Sequence, residues 1–357
     1  MLPVLCEYVK ENKHDSTIIA GNVVLDVLPQ EKAEALQQFH EFDAVAQRFL
    51  SILAVPQAQQ LARQITNGQP FDVRHLRPFA QALTRDLSFD RLSPKIREDA
   101  KIIEAGFEKG VHTLDVKETL EEALKTMYSH YESFAKALSE FPGNVYTLPG
   151  SFDGKHFDNF LKEKNLHLRH ETIDGLVIAG YGSGTKRPKY IPHELLLEYK
   201  EDKDEETGLY LSLAVSHFMR AEPDIIVSHV PPHCMSDWGI PADFETGALE
   251  DYLKKMGPAV VLTGQVPGIV GADLHNPHTV TIYPGSLGAN GDFCSIYVDK
   301  DAAEFREASF YRITDKAQGK ESIKLVKKYM RDNDGLLKEI PCLYGLLEQL
   351  DKKKSCK

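Results

Sequence analysis

Apolar residues recur along this chain in two rhythms, and the change between them divides it. Leu2, Val4, Leu5, Tyr8 and Val9 fall at helical spacing, so the pattern predicts an opening helix ended by Lys13-His14-Asp15. Thr17-Ile18-Ile19-Ala20-Gly21 is a short continuous apolar run between turn residues, which predicts a buried parallel strand. From Gln30 to about Glu140 the rhythm is helical throughout. Leu36, Phe39, Ala46, Phe49, Leu50 and Leu53 form one stripe, broken at Pro56. Further amphipathic stretches span Leu61 to Ile65, Leu76 to Leu87 and Ile96 to Phe107. A last one carries Leu120, Leu124, Met127, Tyr131, Phe134 and Leu138. Asn67-Gly68, Pro70, Ser93-Pro94 and Gly110 separate these stretches. The prediction is a block of four or five helices without a strand.

Beyond the block the rhythm turns to short strands. Val145 to Leu148, Leu176 to Ala179, Ile225 to Val227, Val260 to Leu262, Val280 to Ile282 and Cys294 to Val298 are the predicted strands. Helical patterns at Phe157 to Lys164 and Ala248 to Met256 lie between them. Strands alternating with helices predict an α/β layered fold. The tail from Ala302 predicts one strand at Phe310 to Ile313, helices at Ile323 to Met330 and Leu343 to Leu350, and a solvated Lys352-Lys353-Lys354 ending. The expected organisation is a sandwich from residues 1–29 and 141–300, a helical insertion at 30–140, and a strand and helix extension with a basic tail at 301–357.

Composition narrows the function classes. The chain has 357 residues, enough for one large domain or two smaller ones, with ordinary apolar (42%) and charged (27%) contents. A net charge of −11 counts against non-specific binding of duplex DNA, which runs on basic surface. Cys6, Cys234, Cys294, Cys342 and Cys356 are scattered, without a Cys-x-x-Cys pair, as expected of reduced thiols. No apolar run approaches the ~18 residues of a membrane span, and no basic-then-apolar leader opens the sequence. The expectation is a cytoplasmic protein without a membrane partner.

Three segments carry the chemistry. Ile225-Ile226-Val227-Ser228-His229-Val230-Pro231-Pro232 is a strand running into a histidine and two prolines. Val260-Val261-Leu262-Thr263-Gly264-Gln265-Val266-Pro267 follows, then Ile282-Tyr283-Pro284-Gly285-Ser286-Leu287. In this order and spacing they resemble the closing half of a calcineurin-like metallophosphoesterase. The resemblance implies a metallophosphoesterase-like sandwich of two mixed sheets flanked by helices, with the helical block inserted after the second strand position. It also implies metal-binding motifs at strand ends, in the order Asp-x-His, Gly-Asp-x-x-Asp, Gly-Asn-His-Asp/Glu, His and Gly-His-x-His. Two cations held ~3.5–4 Å apart there would lower the pKa of a bound water towards ~7 and so supply the nucleophile.

Carried over position by position, most of the ligands are missing. The Asp-x-His motif has no counterpart. Gly21-Asn22-Val23-Val24-Leu25-Asp26 matches the second motif with Asn22 at the bridging acid, and Asp26 in a supporting place. Gly150-Ser151-Phe152-Asp153 matches the third. Ser151 stands for the ligand Asn and Phe152 for the catalytic His, while Asp153 keeps a supporting place. His229 is an intact ligand. Gln265 and Pro267 replace the two histidines of the last motif, and a proline side chain cannot coordinate. What survives shapes turns: Gly21, Asp26, Gly150, Asp153, Gly264, Pro284 and Gly285.

The resemblance therefore implies a catalytically degenerate member, with Asn22, Asp26, Ser151, Phe152, Asp153, His229, Gln265 and Pro267 around a vestigial cleft. No catalytic residue and no cofactor is expected. Such a protein would act as a protein-binding scaffold or regulatory subunit, meeting another protein through the helical insertion or the cleft. The alternative is an active phosphoesterase rebuilt around His229, with Asp26, His233 and Asp237 as further candidate ligands and Cys234 near by, using Mn, Fe or Zn. A second alternative is a nucleotide or phosphate sensor. The glycine-rich turn Ala179-Gly180-Tyr181-Gly182-Ser183-Gly184 lacks the Gly-Lys-Ser/Thr of a phosphate loop, so it favours a structural turn. The lost first strand would leave unpaired backbone rows. The expectation is a filled or rearranged sheet, with Phe310 to Ile313 or the tail beyond it as the filler, or else a partner strand.

Overall fold

The computed structural model describes residues 1–14, 16–21, 23, 27–85, 94–184, 191–197, 199–207, 210–232, 246–266, 268–315, 321–332 and 334–341. Its elements begin as the apolar pattern predicts, with α1 (Leu2–Asn12) and β1 (Ser16–Gly21). Lys13, in the left-handed region at φ 52°, ends α1. The helical block is α2 (Gln30–Ile52), α3 (Pro56–Thr66), α4 (Val73–Arg85), α5 (Pro94–Glu108) and α6 (Val116–Leu138). Pro56 does not simply break α2. It opens α3, where its missing N–H is no loss.

The chain divides into two compact units. One comprises Asp26–Met127 and Lys189–Glu194; the other comprises Met1–Leu25, Tyr128–Pro188 and Leu195–Lys357, so the division falls inside α6. The helical unit has its own core, in which Phe42, Phe49, Leu76, Phe79 and Ile103 interlock. The Arg48 guanidinium closes it at one side, donating to both oxygens of Asp99 at 2.9 and 2.7 Å.

The other unit is mixed α/β. Its remaining elements are β2 (Asn144–Pro149), α7 (Asp158–Leu161), β3 (Arg169–Ile173), β4 (Leu176–Tyr181), β5 (Glu201–Lys203), β6 (Tyr210–Ser212) and α8 (Leu213–Ala221). There follow β7 (Ile225–Ser228), α9 (Gly247–Leu253), β8 (Val260–Thr263), β9 (Gly271–Leu274), β10 (Val280–Tyr283) and α10 (Leu287–Asn290). β11 (Asp292–Asp299), β12 (Glu304–Asp315), β13 (Glu321–Arg331) and β14 (Leu337–Ile340) complete it. A six-stranded sheet runs β3-β4-β7-β8-β10-β9, with β4, β7, β8 and β10 parallel. A four-stranded antiparallel sheet runs β11-β12-β13-β14, and β1 pairs in parallel with β2.

Successive residues of the central strands point to opposite cores. Ile178, Val227, Val260 and Ile282 join Phe305, Ala308 and Phe310 between the sheets, whereas Ala179, Ile226 and Val261 meet Phe218 of α8 and Leu249, Tyr252 and Leu253 of α9. Burial on both faces is why these strands read as unbroken apolar runs.

Three expectations are corrected. Ile323 to Met330 is not a helix but lies in β13, hydrogen-bonded to β12 and β14. Pairing on both sides, with Val326 and Tyr329 buried, overrides the helix propensity of its lysines and leucine. Phe310 to Ile313 does not fill a gap beside β1, because it lies within β12, between β11 and β13. β1 is neither fully buried nor flanked on both sides: its residues are half-buried or exposed, and β2 is its one strand partner among the described residues. The predicted helix at Leu343 to Leu350 lies outside the described residues.

Candidate functional site

Open α/β sheets gather their loops at the carboxyl ends of parallel strands, and the turns singled out in the sequence meet at that end. Gly21 ends β1, Gly150 and Ser151 follow β2, His229 follows β7, and Gly264 follows β8. The Ser151 Oγ lies 3.1 Å from the His229 Nε2, a hydrogen bond between residues 78 apart in the chain. A Cβ added to Gly264 would stand 2.6 Å from the His229 Nδ1, and one added to Gly21 would stand 3.8 Å from it. Gly184, beyond β4, packs its bare Cα against Ser151; a Cβ there would overlap the serine hydroxyl. Glycine is required at 184 and 264 by close approach, not by backbone angle.

Hydrogen bonds tie these turns together. The His229 N–H donates to the Tyr181 carbonyl at 3.2 Å, the Gly264 N–H to Ser228 at 3.2 Å, and the Ser183 N–H to Pro149 at 2.9 Å. Asp153 is wholly buried and acts as a clamp. Its carboxylate accepts from the Gly150 N–H at 2.7 Å and from the Val23 N–H at 3.2 Å, joining the turns after β1 and β2. Tyr131 of α6, which reads in the sequence as one more member of an apolar stripe, puts its hydroxyl against this clamp. The hydroxyl accepts from the Gly154 N–H at 2.7 Å. Burial and the neighbouring Asp153 charge push its pKa up. No sequence signal singles out Tyr131, because its part depends on where α6 lies.

His229 is 1% exposed, and burial pushes its pKa down to about 3. The ring is neutral at ordinary pH. Its Nδ1 has no hydrogen-bond partner among the described residues. Ser151 is also buried, Phe152 is half-buried, and Gln265 is half-buried in the left-handed region at φ 52°. Asn22, Asp26, His233, Asp237 and Pro267 lie outside the described residues.

A two-metal centre needs several anionic or imidazole donors facing one space. The described donors do not fit one. The His229 Nε2 is bonded to a neutral hydroxyl and Nδ1 faces the Gly264 backbone, while Asp153 is spent on backbone amides. Among the described residues no group of three or more His, Cys, Asp or Glu side chains is placed to hold a metal ion. Nor, among them, is any helix long and apolar enough to cross a membrane.

No family model matches the chain, and no curated protein does. A solved crystal structure overlays it at a TM-score of 0.42 with 13% identity, over 91% of this chain and 93% of its own; at that level the overlay says nothing of family.

Proposed function

We propose that this chain is a catalytically degenerate relative of the calcineurin-like metallophosphoesterases, with their two-sheet sandwich, and that it serves as a protein-binding scaffold or regulatory subunit in a reducing compartment. One observation carries the proposal. The turns that match the family's ligand motifs converge on a buried imidazole whose neighbours are a serine hydroxyl and a glycine backbone. In this reading His229, buried and held by Ser151, fills space among the turns in place of serving a metal-bound water. Phe152, at the position of the family's proton donor, carries no titratable group, so general-acid help worth ~10²–10⁴-fold is missing as well. The partner is another protein, met through the helical unit or the cleft around Ser151 and His229.

The test joins metal analysis to an assay of the purified full chain on a nitrophenyl phosphodiester with added Mn²⁺. The expected result is well under one tightly bound Mn, Fe or Zn per chain, and background hydrolysis. Turnover that His229→Ala abolishes would overturn the proposal in favour of a working phosphoesterase rebuilt around that residue.

A further inference from the structure

The turn after β4 is strained. Ser183, buried, sits in the left-handed region at φ 93°, where a non-glycine residue persists only if its surroundings fix it. Its N–H donates to the Pro149 carbonyl at 2.9 Å and its Oγ to the Leu197 carbonyl at 2.7 Å. A third tie is the Gly182 N–H, which donates to the His167 Nδ1 at 3.0 Å. His167 is itself well placed. Its N–H donates to the Asn165 Oδ1 at 2.9 Å, and the next N–H, of Leu168, donates to the Gly180 carbonyl at 2.9 Å. The ring leans on Tyr181, with centroids 4.9 Å apart. The turn in its place bears on the neighbouring one. Gly182 stands against Pro149, where an added Cβ would lie 2.5 Å from the carbonyl oxygen, and Gly184 stands against the Ser151 hydroxyl that holds His229.

Of these three ties only the third can titrate. A backbone N–H only donates, so the His167 Nδ1 is the bare nitrogen of a neutral ring and Nε2 carries the proton. A second proton has to go on Nδ1. There it would set N–H against N–H across 3.0 Å, so ring and turn must part. The charged groups facing the ring do little to hold such a charge in place. Asp158 of α7 is the one carboxylate among them, and it is already paired with the Arg169 guanidinium at 2.9 Å. Arg169 of β3 and His217 of α8 both disfavour the proton. Desolvation outweighs Asp158 and holds the ring down at about 4, against an ordinary 6.5.

We propose that His167 is a proton-operated latch: a proton on its Nδ1 releases the strained Gly182-Ser183-Gly184 turn and lets it move off Ser151 and His229. The closed turn needs a neutral ring. It is therefore fully favoured above pH ~6.5 and loses ground as pH falls from there towards ~4. With a freed ring titrating at its ordinary value, the ratio of open to closed turns rises ~20-fold between pH 7 and pH 5. Strain at Ser183 supplies the tendency to move, and the histidine supplies the condition. The latch makes the turns around Ser151 and His229, proposed above as one partner surface, sensitive to pH, and for that use it rests on the scaffold proposal.

Hydrogen exchange of the full chain tests this, each rate being divided by its intrinsic rate at the same pH. The Gly182 and Ser183 amides should exchange faster than the buried amides of β12, and their protection should fall ~20-fold between pH 7 and pH 5. His167→Gln keeps a side-chain oxygen that accepts the Gly182 N–H and does not titrate, so most of that fall should vanish. His167→Phe offers no acceptor and should leave the turn open at both pH values. Protection that does not change with pH in the wild type, or that falls as far in His167→Gln, would overturn the proposal. So would rates equal to those of β12, which would mean that the turn opens only with the whole chain. If His167→Gln does not fold, the wild-type ring decides. Its titration, followed by NMR, has to coincide with the loss of Gly182 protection, and a charged ring beside a protected Gly182 amide would sink the latch. Phosphodiester turnover would remove the scaffold proposal and leave the exchange result as it stands.

Discussion

Asp153 and His229 are both buried polar residues at the ends of parallel strands, yet the fold treats them differently. The Asp153 carboxylate accepts backbone N–H groups from two turns and so holds β1 and β2 in register. The His229 ring has one hydrogen bond to Ser151 and a nitrogen that nothing described contacts by hydrogen bond. The contrast separates two kinds of buried polar residue at neighbouring turns. A group whose bonds go to the backbone of two turns is needed for those turns to close. A group with one side-chain hydrogen bond is held mainly by packing.

The largest expected effect tests the aspartate side. Asp153→Ala strands the Gly150 and Val23 amides and removes a charge-assisted bond to each. At ~1.5–3 kcal/mol for each such bond, the variant should lose about 3–6 kcal/mol of stability in urea unfolding. His229→Ala should lose clearly less. If the histidine variant is the weaker of the two, the contrast fails.

A second, smaller effect tests the histidine side through pH. The folded pKa of His229, about 3, lies below its ordinary 6.5, so the unfolded chain binds a proton that the folded chain refuses. Its contribution is constant above pH ~6.5 and is lost as pH falls from there towards ~3. Between pH 7 and pH 5 that amounts to about 2 kcal/mol. His167, half-buried and accepting the Gly182 N–H at 3.0 Å, is pushed by desolvation down to about 4 and adds a loss over the same range. In His229→Gln the loss between pH 7 and pH 5 should shrink by about 2 kcal/mol. An unchanged loss would mean that the imidazole is hydrated and freely titrating.

The sequence makes these turns legible because a turn at a strand end leaves local marks. Ile225 to Val227 and Val260 to Leu262 are buried on both faces, so they read as apolar runs, and the residues that follow them stand out. Gly264 and Ser151 are found by position alone. β3 is not legible: Arg169-His170-Glu171-Thr172-Ile173 is an edge strand, largely exposed, with no apolar period. β13 is misread because three lysines interrupt its apolar alternation, and among the described residues it buries only Val326 and Tyr329. The part of Tyr131 is written nowhere locally. It depends on where α6 lies, which periodicity does not carry.

The smallest expected effect asks whether Gly264 is shaped by His229 or by its own turn. Its φ is not in the left-handed region, so alanine there strains no backbone angle. The obstacle is the imidazole, with the added Cβ 2.6 Å from Nδ1. Gly264→Ala should therefore cost about 1–3 kcal/mol through overpacking. In a His229→Ala background the methyl enters vacated space, and the same substitution should cost less by at least about 1 kcal/mol. The double-mutant cycle reads this coupling directly from four urea titrations. A positive coupling means that the glycine is retained to seat the ring, which makes both residues parts of one packed plug. If the two changes simply add, the β8 turn excludes a side chain for its own reasons. The histidine would then be incidental to the turn, and the contrast with Asp153 would be sharper still.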